Sequence, residues 1–237
     1  MKTIGLIGGM SWESTKEYYQ IMNEAVRDRL GGLHSVKCVL YSFDFAEIEV
    51  LQHTGEWEAL TKMMIEGATA LEKAGADFIV ICANTMHKVA ENIQAKTRLP
   101  ILHIADTTSQ RILGKNIRRV GLLGTKFTME EDFYRKRLEK KWNIQVIVPC
   151  DNEQKTIHDI IYGELCLGVI NQSSKERIKE VIKNLIARGA EGIVLGCTEI
   201  PLLIKQNDVR VPVFDTTEIH ARAAVDFALD ISGGFNS

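Results

Sequence analysis

The chain has 237 residues, 45% hydrophobic and 25% charged, with a formal net charge of −2. That size allows one large α/β domain or two small lobes. The near-neutral balance excludes the basic footprint of a nucleic-acid binder. No apolar run approaches the roughly 18–20 residues that would span a membrane.

In chain order, "KTIGLIGG" (2–9) reads as a first buried strand. The start of the chain, apolar only briefly and without a small-residue cleavage site, reads as that strand and is not expected to be a secretory signal. A helix follows in "SWESTKEYYQIMNEAVRDRL", with an expected capping box at Ser14 and Glu17 and a stop at Gly31 and Gly32. "FDFAEIEVLQHTGEWE" reads as a loop carrying Gln52. "ADFIVICA" (76–83), "RVGLLGT" (119–125) and "EGIVLGC" (191–197) are three more strand-like runs, rich in Val, Ile and Leu as strands buried on both faces should be. "TMEEDFYRKRLEKKW" is expected as one helix capped by Thr128 and Glu131, and "SSKERIKEVIKNLIARG" as another ending at Gly189. "EIHARAAVDFAL" (218–229) has the pattern of an amphipathic helix, and "ISGGFNS" reads as a mobile tail.

The five cysteines, Cys38, Cys82, Cys150, Cys166 and Cys197, are odd in number and form no CxxC or CxxH pair. They read as free thiols in a reducing cytoplasm, with no metal site. "GLIGG" does not match G-x-G-x-x-G, so a dinucleotide site is not expected.

The chain also contains itself twice. "IGLIGG" (4–9) matches "VGLLGT" (120–125), "AGADFIVICANT" (74–85) matches "RGAEGIVLGCTE" (188–199), and "LPILHIADTT" (99–108) resembles "VPVFDTTEIH" (211–220). The offsets are close, 114 residues for the gapless middle match (83 to 197) and 116 and 112 for the others (4 to 120, 100 to 212). The expected fold is α/β, two pseudo-symmetric lobes, each a parallel sheet flanked by helices, with the active site in the cleft between them. If the helices following the third match pack across, the lobes comprise 1–104 with 215–237, and 105–214.

Ligands in such folds gather beyond the C-terminal strand ends. The gapless match sets Cys197 opposite Ala83 and Cys82 opposite Gly196. Side chains alternate along a strand, so Cys82 should face the packed side and Cys197 the ligand side. A thiol at a helix start would be stabilised as thiolate by the dipole, and Glu199 is near enough to orient it. Met10, Ser11, Asn84, Thr85, Thr125, Thr128 and Thr198 cluster at the same strand ends and could hold a small anion. Each hydroxyl or amide among them could equally be an ordinary helix cap.

"GGMSWEST" (8–15), "NTMH" (84–87), "GCTE" (196–199) and "VPVFDTT" (211–217) resemble the aspartate/glutamate racemase family, in particular its bacterial amino-acid racemase branch. The resemblance runs over about residues 2–230. It implies a two-lobed enzyme without pyridoxal phosphate or another cofactor, often dimeric, acting on a small acidic amino acid. Two facing acid/base residues, one per lobe, would move the α-proton between opposite faces of the substrate. By motif, Cys197 is the second-lobe group, and the first-lobe group falls on Ala83, where the family has Cys or Thr. A methyl exchanges no proton. The chain therefore reads as an impaired racemase, with the alanine read as engineered. A one-cysteine decarboxylase and a non-catalytic sensor of acidic amino acids are the alternatives. The resemblance also extends the segment around Gln52 over the cleft, toward a substrate side chain. His87 is expected to sit behind the site or at the surface, and Trp12 and Trp57 to pack or cover. His53, His103 and His220 have no partner visible in sequence, and Cys38, Cys150 and Cys166 read as structural.

Overall fold

Short β-rich runs without polar alternation can persist only in a sheet covered on both faces, and two such sheets form. The computed structural model describes residues 1–230; the "ISGGFNS" segment expected to be a mobile tail lies outside the described residues. The first half of the chain runs β1 (Ile4–Gly8), α1 (Trp12–Leu30), β2 (Cys38–Ser42), α2 (Phe45–Thr54), α3 (Trp57–Lys73), β3 (Phe78–Ile81), a 3-10 turn (Thr85–Val89), α4 (Ala90–Gln94) and β4 (Ile101–Leu102). The second runs α5 (Ile104–Leu113), β5 (Arg119–Gly124), α6 (Lys126–Glu130), α7 (Asp132–Lys136), a π turn (Arg137–Lys141), β6 (Gln145–Ile147), α8 (Asp151–Gly163), α9 (Gln172–Ala187), β7 (Gly192–Gly196), α10 (Ile200–Leu203), β8 (Val213–Asp215) and α11 (Thr216–Ala228).

The strand orders are β2-β1-β3-β4 and β6-β5-β7-β8, the same topology twice. All pairs are parallel, with Ile4 beside Cys38 and Phe78 in one sheet and Val120 beside Val146 and Gly192 in the other. The chain divides into two compact units, Met1–His103 with the segment from His220 onward, and Ile104–Ile219.

In the first unit, Ile4, Leu6, Phe78, Val80 and Cys82 pack on one side of the sheet with Tyr18, Met22 and Val26 of α1 and Ala221, Ala224 and Val225 of α11. On the other side, Ile7, Ile79, Ile81 and Ala83 meet Leu60, Met64, Ala68 and Leu71 of α3. In the second unit, Val120, Leu122 and Val194 pack on Ile104 and Ile112 of α5. Leu123, Ile193, Leu195 and Cys197 pack on α8 and α9. Each unit is thus covered on one face by the helix that follows the other unit's last strand.

Four local expectations are corrected. The cap of α1 is Ser11, whose side chain accepts from Ser14 N, not Ser14 itself. The cap of α6 is Thr125, accepting from Thr128 N, not Thr128. Both helices start three residues early because glycines let the chain turn immediately at the strand end. Gly9 has φ +84° and lies against the Phe43 backbone, where no Cβ fits. At Gly124 a Cβ would lie 2.8 Å from the Gly196 carbonyl and 3.0 Å from Thr128. The single helix expected over 128–142 is instead α6, α7 and the π turn in succession. The loop expected around Gln52 is helix α2, capped by Asp44, whose side chain accepts from Ala46 N, and closed by Gly55 in the left-handed region. Its inward face is only Ile48 and Gln52, one i, i+4 pair, too little periodicity to announce a helix.

Candidate functional site

At the end of β7 the chain leaves the sheet at Gly196, which is paired with Gly124. Neither position has room for a side chain, since a Cβ on Gly196 would lie 2.8 Å from Leu122 and 2.9 Å from the Leu123 carbonyl. Cys197, Thr198 and Glu199 follow at once, all buried, with exposures of 5%, 5% and 4%. The Cys197 thiol donates to Glu199 Oε2 at 2.9 Å, and the Thr198 hydroxyl donates to the same oxygen at 2.9 Å. Glu199 spends no bond on capping α10.

The expected thiolate is not what this arrangement favours. Burial pushes the Cys197 thiol well above its ordinary range, and the Glu199 charge beside it pushes the same way. The helix that was to supply the opposing dipole is α10, only four residues long and beginning beyond Glu199. An adjacent carboxylate at hydrogen-bond distance outweighs so short a helix. At neutral pH, Cys197 carries its proton.

Thr125 and Thr128 lie at the end of β5 in the same unit. Their hydroxyls are 3.3 Å apart, and Thr128 N donates to Thr125 Oγ1. For Thr125 and for Ser11 the ordinary capping role is therefore real. It is not for Asn84, whose side chain makes no capping bond to the turn that follows it.

In the first unit, Ala83 stands just past β3, on the face shared with Ile79 and Ile81, while Cys82 lies on the opposite face. Cys82 is fully buried, and burial drives its thiol far up in pKa, as suits a packing residue. Asn84 and Thr85 are buried at 3% and 7% exposure. Gln52, also buried, donates from Nε2 to Met86 Sδ at 3.2 Å, so α2 is fastened to the turn carrying "NTMH". Met10 is buried in the same apolar cluster as Ala83. Ser11 accepts around the first turn of α1, its side chain from Ser14 N and its carbonyl from the Ser14 and Thr15 hydroxyls at 3.0 and 2.9 Å.

His87 is buried behind Ala83, where its Nδ1–H donates to the Ala83 carbonyl at 2.8 Å and its ring lies tilted against that of His103 with centroids 4.5 Å apart. His220 finds two partners far away in sequence. Nε2–H donates to the Leu102 carbonyl at 2.8 Å, so Nδ1 accepts from the Tyr18 hydroxyl, also 2.8 Å away. Burial lowers this imidazole to about 4, and it is neutral. Separations of 118 and 202 residues leave no local signal for such contacts. His53 is exposed beside Glu49, Trp12 is 65% exposed, and Trp57 carries the Lys88 ammonium over its ring at 3.6 Å. Cys150 is exposed and Cys38 and Cys166 half-buried. Among the described residues, no group of three His, Cys, Asp or Glu could hold a metal, and no helix is long and apolar enough to cross a membrane.

Comparison with known proteins bears on what such an arrangement does. The family model for Asp/Glu/hydantoin racemases matches residues 7–224. The broad specificity amino-acid racemase RacX of Bacillus subtilis (strain 168) is 25% identical over 231 residues, covering 94% of this chain and 96% of that protein. A crystallised Yersinia pestis protein assigned as an Asp/Glu racemase is 54% identical, with a TM-score of 0.90 over 97% of this chain and all (100%) of the other. The crystal structure of an aspartate racemase homologue from Pyrococcus horikoshii OT3 is 42% identical with a TM-score of 0.83, again over 97% and 100%. The duplicated parallel sheets and the match along nearly the whole chain lead to one conclusion: this protein belongs to the Asp/Glu/hydantoin racemase family.

Proposed function

We propose that the protein is a cofactor-independent amino-acid racemase for aspartate or glutamate, with one of its two acid/base groups missing. The observation that supports this most is the pairing of strand ends. Cys197, bonded to Glu199, ends β7 on the face where the equivalent residue past β3 is Ala83. Racemisation needs one group to take the α-proton from one face of the carbon and another to deliver a proton to the opposite face. Cys197 can serve one face. Ala83 can serve neither, because its side chain ends in a methyl.

The remaining candidates are assigned as holders of substrate. Ser11, Asn84 and Thr85 in one unit and Thr125 and Thr198 in the other offer hydroxyl, amide and backbone N–H donors for the α-carboxylate. Thr128 keeps Thr125 in place. Gln52 is assigned to the substrate side chain, and Met10 to the apolar wall beside Ala83.

Ala83→Thr and Ala83→Cys should restore interconversion of L- and D-aspartate or glutamate, with a gain of about 10²–10⁴-fold, the usual weight of a general acid/base. Chiral chromatography of both substrates from both enantiomers is the measurement. If neither variant racemises either acid, the reading is wrong. A decarboxylase would instead release CO₂ from a disubstituted malonate, and a sensor would bind acidic amino acids yet stay inert after either substitution.

A further inference from the structure

In an α-helix the N–H of His87 would bond to the carbonyl four residues back, that of Ala83. The turn after Ala83 is 3-10, and His87 N donates instead to Asn84 O at 3.0 Å. The Ala83 carbonyl, on a residue only 6% exposed, is left to another donor. His87 supplies it from its ring, whose Nδ1–H reaches that oxygen at 2.8 Å. His87 is itself buried, and its ring lies against His103, with His220 edge-on at 5.8 Å between centroids. The second unit has no such device. By the 114-residue offset of the repeat (83 to 197, 87 to 201), the counterpart of His87 is Pro201, which has no side-chain donor. There the Cys197 carbonyl takes the backbone N–H of Ile200 at 3.3 Å. The ring-to-carbonyl bond belongs to the Ala83 end.

We infer that His87 is a positioning residue for this strand end, holding the side chain of position 83 and the N–H of Asn84 at a fixed angle to each other. The inference rests on the roles proposed for those two groups, proton transfer at position 83 and binding of the substrate carboxylate at Asn84. The link between them is one torsion. Rotation about the Cα–C bond of residue 83 moves its carbonyl relative to its own side chain. The 83–84 peptide is trans and planar, so the Asn84 N–H points opposite to the Ala83 carbonyl. Holding that oxygen toward His87 therefore aims the N–H away from His87 and stops the rotation. A donor on a packed, buried ring fixes the angle more tightly than a mobile one would. In a chain with an acid/base group at position 83, loss of this bond leaves both groups present but misaligned. A displacement of about 1 Å can cost about 10²-fold in rate.

The donor and the ring can be tested apart. Asn offers an amide N–H close to where His offers Nδ1–H but has no ring, whereas Phe keeps a ring and has no donor. In the A83T chain, H87F should lower kcat/KM for racemisation by about 10²-fold, and H87N should keep most of it. Circular dichroism checks that both variants fold. The reverse order, Phe active and Asn inactive, assigns His87 to packing and overturns the inference. So does an A83T/H87F rate equal to that of the A83T parent. The second readout needs no turnover. In the present chain, nitrogen–proton correlation NMR of the His87 ring, assigned by its loss in H87N, should show a proton on Nδ1 at neutral pH. A bare Nδ1 overturns the inference. The two readings fail separately. An A83T chain inert toward every amino acid fails the racemase reading, and the ring spectrum still decides the bond. An active A83T chain indifferent to H87F fails the positioning role alone.

Discussion

At the end of β3, the side chain sharing a face with Ile79 and Ile81 is a methyl. At the end of β7, the one sharing a face with Ile193 and Leu195 is a thiol bonded to a carboxylate. The sheets beneath have the same strand order and the same parallel pairing. Behind Ala83 the chain places an imidazole on the backbone carbonyl. Behind Cys197 it places two glycines with no room between strands. The difference teaches that a duplicated scaffold preserves where a functional group stands more faithfully than what that group is.

The largest expected effect removes what the second unit still has. Cys197→Ala should abolish exchange of the substrate α-hydrogen with D₂O, which the present chain should catalyse for one enantiomer only. Proton NMR of each enantiomer follows the exchange, and equal exchange of both enantiomers by the present chain would contradict a one-sided site. Next comes the gain at position 83, about 10²–10⁴-fold in racemisation for Ala83→Thr.

A third effect belongs to the first unit alone. The folded-state pKa of His220 is about 4, below the roughly 6.5 of an unfolded chain. The unfolded state therefore binds more protons as the pH drops through 6.5, and stability should fall from there down to pH 4, by about 3 kcal/mol in all. Above pH 6.5 this contribution is fully present. Melting temperature against pH, compared with His220→Gln, should show the acid-side slope reduced in the variant.

Smaller effects compare matched positions. Gly196→Ala forces a methyl onto Leu122 and the Leu123 carbonyl and should cost about 1–3 kcal/mol in a denaturant melt. Cys82, its partner in the repeat, already fits a side chain in the first unit, and Cys82→Ala should cost less. Removing either cap, by Ser11→Ala or Thr125→Ala, should cost about 1 kcal/mol. A negligible loss at Ser11 would reinstate Ser14 as the cap of α1.

The strands and the repeat were legible because "IGLIGG" and "EGIVLGC" are buried on both faces and so consist of little but apolar residues. The alternation rule then separated Cys82 from Ala83, and the two do lie in different clusters. What stayed hidden depends on backbone turns. The caps were misplaced by three residues in both units, because a Ser/Thr-x-x-Glu spacing is visible in sequence and a Cβ clash at a strand end is not. Helix α2 reads as a loop in sequence, since two buried residues make no period. The direction of the Cys197 pKa is hidden in sequence for a related reason. Sequence places Glu199 two residues away, but only the turn decides that its carboxylate points back at the sulfur.

The exchanged helices have a consequence for the order in which the protein is made. The second unit, Ile104–Ile219, is continuous, so everything in its core has been synthesised before the last helix is finished. The first unit is not continuous. Its sheet is complete by Leu102, yet Ala221, Ala224 and Val225, which cover Ile4, Leu6 and Val80, come more than a hundred residues later. During translation the older half of the chain must wait with that sheet face covered by α1 alone while the younger half closes. Truncation before α11 should therefore unfold the half made first and spare the core of the half made last.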